Sequence, residues 1–418
     1  MATTPGRLRV ASVVLVAVLL LVGVVAAVAT SARSTAARSV AREATPELIA
    51  AESLYAALAD ADDAASTAYL RAGEEPPELR QRYRADIDAA GRQLTVVMRR
   101  ADDGSGAQRA ATVIARQLPV YAGLVDTARA NIRQGFTVGA AYLRRASALM
   151  REEILPEATV IYRHAADRLD GEYDAGTSVT EIVVLGLAGV FALGLLIGLQ
   201  LHLFSKMHRI VNVGLAAATV LLVVLVTWTF VAFASEQSDL VGAQRHGSDA
   251  VEVLSASRIL ALRAHNDDNL TLIERGGGTD HVADYDAAAA RIGGAQGHGG
   301  LLDRARAIAA RSDDATRIDQ IRAHYATLVA AHGAVRALDD NGDYKGALDQ
   351  AKAQLSPAIA TVDRDFRIEI ARARVELERR AENAQTGFGV LAIVIPVLTV
   401  AAGLLVLVGL QRRIGEYR

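Results

Sequence analysis

The sequence predicts an all-α membrane protein with four transmembrane helices and two extracytoplasmic up-down four-helix bundles in tandem. Three observations support this fold class. Hydrophobic residues make up 51% of the 418 residues, a share at the upper end for a soluble domain. They concentrate in four runs that each reach about 20 residues, the length that a helix needs to cross a bilayer. Between the runs, apolar residues recur at helical spacing, without the alternation that is typical of strands.

The balance of charge and the lack of cysteine exclude several classes of function. The chain has 45 basic and 47 acidic residues, so there is no excess charge to attract nucleic acid. It has no cysteine, which removes thiol catalysis, disulfides and thiolate metal sites. No serine–histidine–acid arrangement, P-loop or dinucleotide fingerprint is present in the sequence. These features predict a protein that is not an enzyme and that needs no cofactor.

The predicted spans cover residues 10–30, 179–203, 210–234 and 387–410. Arg7 and Arg9 precede the first run, as in a signal peptide, but its apolar stretch is longer than the roughly 7–15 residues of a signal core. We therefore interpret it as a retained anchor, with a cleaved signal as the alternative. Glu181 lies at the edge of the second span, and the spans otherwise carry almost no charge, so an ion path is not predicted.

Basic residues in the short flanks predict the orientation, because they mark the cytoplasmic side of a membrane. They precede the first span, fill the link between the second and third, and follow the fourth: Arg7 and Arg9; Lys206, His208 and Arg209; Arg412, Arg413 and Arg418. The predicted topology is a multi-pass protein of the cell membrane with both termini in the cytoplasm. Its cytoplasmic parts are residues 1–9, 204–209 and 411–418, and its extracytoplasmic domains are residues 31–178 and 235–386. No kinase or nucleotide-binding domain fits into such short cytoplasmic segments.

The two halves of the chain are predicted to be an internal duplication. A shift of a little over 200 residues superposes spans on spans and outer domain on outer domain. At one constant offset, four residues of the first half face four of the second: Asp63, Thr67, Arg71 and Gly73 face Asp267, Thr271, Arg275 and Gly277. Pro156 meets Pro357 after a small deletion. The conserved order indicates a tandem repeat.

Clusters of turn-forming residues divide each outer domain into four predicted helices. In the first domain the clusters lie at residues 73–77, 102–106 and 134–135; in the second they lie at 276–280, at 297–300 with 312–314 further on, and at 339–343. The first and fourth helices of each domain are then about 40 residues long, and the middle two about 25, which is roughly 60 Å against 40 Å. Pro156 and Pro357 fall inside the fourth helices, where each is either a kink or accommodated.

Small residues predict how the spans pack. Gly194 and Gly198 form a GxxxG spacing in the second span, and Gly214 and Ala218 form a small-xxx-small spacing in the third. Such spacings allow helix backbones to approach closely in lipid. Pro396 in the fourth span removes one backbone hydrogen bond, so it is a possible hinge or a static kink.

Two sets of polar residues are candidates for binding. Arg71 and Arg275 end the first helix of each repeat, and arginine can clamp a carboxylate with two parallel bonds, although complementarity to the helix C-terminus explains the same placement. Histidine and aspartate cluster at two places: His265, Asp267 and Asp268, and Asp280, His281 and Asp284. Neither cluster repeats a histidine spacing that is typical of a metal site, so both predict solvated surface and no metal.

The order of span, four-helix domain and span resembles the sensor half of bacterial chemoreceptors and sensor kinases. Here the order occurs twice in one chain with short basic cytoplasmic ends, which is similar to the GlnX-type membrane proteins of actinobacteria. That resemblance implies a sensor with two partners, an extracytoplasmic solute-binding protein that recognises an amino acid and a cytoplasmic serine/threonine kinase. It rests on layout, so it carries no binding residue over to this chain.

The leading hypothesis is a non-enzymatic transmembrane signal relay that passes amino-acid availability from the outer domains to a cytoplasmic effector. Two alternatives stay open. One is a receptor that binds a small ligand directly in its helical bundles, and the other is a structural or assembly subunit of an envelope or transport complex.

Overall fold

The structure is a computed structural model that describes residues 4–71, 76–207, 212–274, 279–294, 298–309, 311–386 and 388–415. Over these ranges the regular secondary structure is helical and contains no β-strand. The fifteen α-helices are α1 (Thr4–Ser39), α2 (Thr45–Leu70), α3 (Pro77–Arg100), α4 (Gly106–Arg133), α5 (Val138–Leu149), α6 (Leu155–Gly176), α7 (Val179–Met207), α8 (Val213–Ala243), α9 (Asp249–Glu274), α10 (Thr279–Gly293), α11 (Leu301–Ile308), α12 (Ser312–Asp340), α13 (Tyr344–Gln350), α14 (Ser356–Thr386) and α15 (Phe388–Gly415). The all-helical prediction is confirmed for this part of the chain.

Helices begin and end at the predicted turn clusters. Helix α3 ends at Arg100 and α4 begins at Gly106, where the side chain of Ser105 accepts a hydrogen bond from the Gln108 N–H. Gly104, Gly135 and Gly342 have φ between 74° and 77°, a backbone conformation that glycine adopts without the steric cost of a Cβ. These turns form because the local sequence favours them, which is why they could be predicted.

In the part of the chain that the structure describes, four five-residue π-helical turns interrupt the α-helices: Val40–Ala44, Met150–Ile154, Gln244–Ser248 and Ala351–Leu355. Three of them end two residues before a proline, at Pro46, Pro156 and Pro357. Proline lacks the N–H that an α-helix needs and crowds the preceding turn, and a widened turn relieves this conflict. The predicted conflict at Pro156 and Pro357 is therefore accommodated by a π turn.

The π turns occur at two repeated separations. Those that precede α2 and α9 begin 204 residues apart (244 − 40), and those that precede α6 and α14 begin 201 residues apart (351 − 150). Asp63 and Asp267 are separated by the first offset, and Pro156 and Pro357 by the second. Positions that the sequence comparison aligns thus have the same local helix geometry.

The chain divides into two compact units, the first of which comprises Met1–Arg42, Gly171–Gly242 and Arg379–Arg418. Within it, α1 packs against α7 and α15. Among the described residues, four helices are long and apolar enough to cross a membrane, and they occupy Arg9–Leu70, Val138–Ser205, Val213–Glu274 and Val390–Gln411. By the length and composition of these helices, the chain is a helical membrane protein.

The small residues of the predicted spans differ in their surroundings. A Cβ on Gly214 would lie 2.6 Å from the carbonyl oxygen of Leu405, so α8 and α15 approach closely there. Ala218 is also buried. A Cβ on Gly194 or Gly198, in contrast, would have no atom of another described element within 4 Å. The packing role of these two glycines, and the hinge role of Pro396 inside α15, stay predictions.

The second unit comprises Glu43–Asp170 and Ala243–Glu378. In it, α2 packs against α3, α4 and α5, while α9 packs against α10, α11 and α13. Leu58, Ile114 and Met150 are fully buried on the α2 side, and Ile292 and Phe366 belong to the hydrophobic core around α9. Helices α2 and α9 also pack against each other, and many of the buried polar residues lie on these two helices.

Candidate functional site between two parallel helices

Helices α2 and α9 are joined by polar side chains. Hydrogen bonds run from Ser255 Oγ to Glu52 Oε1 (2.8 Å), from Asn266 Nδ2 to Asp62 Oδ2 (2.7 Å) and from Asn269 Nδ2 to Ser66 Oγ (3.1 Å). Because the partners follow the same order along both helices, the helices are parallel. We call this contact the α2–α9 seam.

The seam is buried, which corrects the prediction that His265, Asp267 and Asp268 are solvated. The three residues are only 3%, 3% and 4% exposed, respectively. The prediction rested on the lack of a metal-type histidine spacing, and it did not consider that α9 is covered by α2 on one side and by its own core helices on another. The alanines that run through α2 allow this close approach and were the signal that sequence reasoning missed.

Arg258 of α9 bridges two carboxylates inside the seam. Its Nη2 lies 2.5 Å from Asp60 Oδ1 of α2, and its Nε lies 2.8 Å from Asp363 Oδ1 of α14. Arg82 of α3 adds a second guanidinium, 3.5 Å from Asp363, and Arg367 also pairs with Asp363. Burial raises the pKa of Asp363, but these arginines outweigh that effect and hold the pKa below its ordinary value. The network ties α2, α3, α9 and α14 together by charge.

Asp62 of α2 is the most extensively hydrogen-bonded carboxylate of the seam. It accepts from Tyr121 of α4 (3.1 Å), from Ser147 of α5 (2.9 Å) and from Asn266 of α9 (2.7 Å). Burial raises its pKa to about 6, although the hydrogen bonds from Ser147 and Tyr121 act in the opposite direction. Asp62 therefore connects α2, α4 and α5 to α9.

Asp63 and His265 form a weakly satisfied pair beside it. Asp63 Oδ1 lies 3.8 Å from His265 Nε2, and neither Asp63 Oδ1 nor His265 Nδ1 has a hydrogen-bond partner among the residues that the structure describes. Burial raises the pKa of Asp63 to about 7 and lowers that of His265 to about 4. At neutral pH the imidazole is therefore uncharged and the carboxyl is partly protonated.

Asp267 and Asp268 of α9 have partners on other elements. Arg151, in the π turn Met150–Ile154, donates to Asp267 Oδ1 at 2.7 Å. His332 of α12 lies 2.7 Å from Asp268 Oδ1 and stacks on Tyr285 at 3.5 Å between ring centroids. Both carboxylates are thus compensated by neighbouring basic groups and not by α2.

Asp267, His281 and Asp284 have potential metal-ligand atoms within 4.8 Å of one another. Arg151 already supplies a positive charge at Asp267, and His281 Nδ1 also lies 3.4 Å from that carboxylate. A cation would have to compete with the guanidinium, so the group is better explained as an ion-pair cluster. The side chain of Asp280 lies outside the described residues.

Arg71, one of the two arginines that were predicted as ligand contacts, takes no part in the seam contacts described above. Arg71 is the C-cap residue of α2 and is half-buried, and its backbone N–H donates to Tyr69 O. Arg275 lies outside the described residues. Their ligand role stays a prediction.

Arg33 of the first unit is a buried charge that the sequence reasoning did not single out. It is 0% exposed, donates to Ser178 O at 2.6 Å, and lies 3.1 Å from Glu181 and 3.5 Å from Glu236. Its guanidinium also stacks over the ring of Phe233 at 4.5 Å. The arginine thereby gathers α1, α7 and α8 around one charge.

Comparison with family models indicates the class of protein. Residues 36–174 match the actinobacterial sensor domain, a third of the chain that extends from the end of α1 into α6. The match supports an actinobacterial sensor protein with a sensing, non-catalytic role. Neither the curated proteins nor the solved structures gave a significant match.

Proposed function

We propose that the chain is a transmembrane signal relay in which two four-helix bundles act as the two halves of a receptor dimer within one polypeptide. The first bundle is formed by α2, α3, α4 and the α5–α6 helix, and the second by α9, the α10–α11 segment, α12 and the α13–α14 helix. The matching offsets of the π turns support a tandem duplication, and the sensor-domain match to residues 36–174 supports the sensing role.

The hydrogen bond between Asp62 and Asn266 is the observation that carries this proposal. The two residues are 204 positions apart, which is the offset between the π turns before α2 and α9. Equivalent residues that meet along parallel helices are the mark of a two-fold interface. A duplicated chain can reproduce that interface and can also place an amide where an identical copy would place a second carboxylate.

The buried polar seam is suited to switching between discrete arrangements. A shift of α2 along α9 would separate Asp62 from Asn266 and Glu52 from Ser255, and each buried group left without a partner costs about 1–3 kcal/mol. Intermediate positions of α2 along α9 are therefore unfavourable, whereas a second position in which every buried group again has a partner is not. A partner that binds one arrangement more tightly than the other shifts the population.

The partners that we propose are an extracytoplasmic solute-binding protein and a cytoplasmic effector such as a serine/threonine kinase. In this scheme both bundles lie outside the membrane, both termini lie in the cytoplasm, and amino-acid availability is the signal. Support comes from the basic residues in the flanks of the spans and from the layout that the chain shares with GlnX-type proteins.

Cysteine cross-linking in membranes tests the relay, because the native chain has no cysteine to interfere. Ser66→Cys with Asn269→Cys replaces a hydrogen-bonded pair across the seam. The test adds a solute-binding protein encoded by a neighbouring gene, once with its amino acid and once without it. We expect the rate of disulfide formation to differ between these two conditions. The control pair Gln117→Cys with Glu153→Cys lies within the first bundle, where the native side chains are 2.8 Å apart, and its rate should stay constant. Equal seam rates in both conditions would contradict the relay.

A further inference from the structure

A cavity of about 400 Å³ lies beside the α2–α9 seam. Helices α2 and α6 form one side of it, and α9 and α10 form the other. Ala256, Ile259 and Leu260 supply an apolar wall, and the remaining lining is polar or aromatic. Its volume falls in the range of roughly 300–1,000 Å³ that is usual for small-molecule sites.

Three arginines line this cavity without a protein partner. Arg163 comes from α6, Arg263 from α9 and Arg291 from α10. None of them makes a hydrogen bond or ion pair within the described ranges of the chain. A guanidinium presents five N–H donors in a rigid fork that matches a carboxylate, so three unpaired guanidiniums at one cavity form a receptor for anionic oxygen atoms.

A larger cavity in the same unit shows the contrast. It measures about 580 Å³ and is also lined by arginines, Arg311, Arg317 and Arg372. There Arg317 and Arg372 each lie 2.9 Å from Glu369, and Arg311 lies 3.4 Å from Asp314. Protein carboxylates already neutralise these arginines, and a ligand anion would have to displace them. The arginines of the smaller cavity differ in that none of them is paired with a carboxylate of the described residues.

Hydroxyl groups and two glutamates complete the smaller cavity. Tyr162 Oη is buried without a hydrogen-bond partner in the described part of the chain, and burial raises the pKa of Tyr162 so that it remains a donor. Glu52 is occupied by Ser255 and Arg374. Glu252 makes no hydrogen bond or close ion pair with a described residue. Burial raises its pKa, and the charge of Arg304 acts in the opposite direction. The unpaired groups therefore sum to two positive charges, from three arginines and one glutamate.

We propose that this cavity binds a small dicarboxylate, acidic amino acids included. Two carboxylates balance the excess charge and supply the acceptors that the three arginines lack, and Tyr162 donates a further hydrogen bond. In an acidic amino acid, the ammonium group pairs with Glu252. The ligand contacts both sides of the seam, so its binding would favour one seam arrangement; this coupling rests on the proposed relay, whereas the binding itself does not.

Isothermal titration of the full chain in detergent or nanodiscs tests the site, with succinate, L-aspartate and L-glutamate as probes. We expect saturable binding that Arg263→Gln and Arg291→Gln each weaken at least tenfold and that Tyr162→Phe weakens less. Glu252→Gln should weaken L-aspartate and strengthen succinate, because only the amino acid carries a cation. Arg84→Gln, an exposed arginine of α3, is the matched control and should bind like the native chain.

Three outcomes would overturn the site: no saturable binding of any probe at millimolar concentration, unchanged affinity in both arginine variants, or phosphate binding as tightly as succinate. The cross-linking pair at Ser66 and Asn269 separates this inference from the relay. If the dicarboxylate binds but the cross-linking rate ignores it, the site stands and its coupling to the relay fails. If the rate responds to the solute-binding protein but no dicarboxylate binds, the relay stands and the site fails.

Discussion

Helices α2 and α9 are alike in form and unlike in charge. Each has 26 residues, follows a π turn and buries 18 of its residues. At the seam, α2 contributes the carboxylates, namely Glu52, Asp60, Asp62 and Asp63, whereas α9 contributes the groups that bind or neighbour them, Ser255, Arg258, His265 and Asn266. Two identical helices would set carboxylate against carboxylate. The difference shows that the seam is stabilised by complementarity.

The largest expected effect comes from removing the one arginine of α9 that bridges Asp60 and Asp363. Arg258→Met should lower the free energy of unfolding by about 3–5 kcal/mol, because breaking a buried ion pair leaves uncompensated charge. Thermal unfolding of the full chain in detergent, followed by circular dichroism, measures it. Arg263→Met, one and a half turns further along α9, should change stability little. If both variants lost the same stability, the charge complementarity of the seam would not be what stabilises it.

The second prediction concerns Asp63, a buried carboxylate with an oxygen that has no hydrogen-bond partner among the described residues. The folded-state pKa of Asp63 is about 7 and the unfolded one about 3.9, so ionisation costs the native chain stability as pH rises between these values. Asp63→Asn should therefore be more stable than the native chain by a margin that grows from pH 4 to 7 and is level above pH 7, on the order of 3 kcal/mol. Unfolding curves across this pH range measure the margin; one that shrank with pH would show that Asp63 is stabilised as an anion.

Making the two helices more alike gives a third test. Asn266→Asp would place a second carboxylate against Asp62, and two carboxylates at one site cannot both ionise easily. We expect a loss of roughly 2 kcal/mol at pH 8 that diminishes toward pH 5, where the pair shares a proton. The swapped variant, Asp62→Asn with Asn266→Asp, should recover most of the loss. Failure of the swap to recover stability would mean that Tyr121 and Ser147, and not Asn266, decide the position of the carboxylate.

The smallest expected effect is the loss of one neutral donor. Ser255→Ala removes the hydrogen bond to Glu52, which keeps its pairing with Arg374. A loss of about 1 kcal/mol is expected in the same unfolding assay. Ser257→Ala is the control, since Ser257 donates to Val253 O within its own helix. A loss at position 255 no greater than at 257 would mean that the seam gains nothing from this contact.

Local features of the fold could be predicted from the sequence, and pairings between distant residues could not. The breaks at residues 102–106 and 134–135 follow from turn chemistry, and the four apolar helices from their length. The burial of His265 depends on α2 lying against α9, a pairing that the alanines of α2 permit but do not specify. Arg33 is a single charge beside a span, and its pairing with Glu181 and Glu236 arises only when three helices meet. The π turns were not predicted because they depend on hydrogen-bond register, although a proline follows three of the four closely.

The π turn Met150–Ile154 changes which side chains share a face along the continuous α5–α6 helix. A π turn accommodates one residue more than an α turn, which advances every later side chain by about 100° around the axis. A helical wheel drawn from α5 into α6 therefore assigns residues after Ile154 to the wrong side. Deleting one residue there would restore a uniform wheel, and either α6 or Arg151 would have to rotate away from its present neighbours. The extra residue thus lets one continuous helix present two differently oriented stripes.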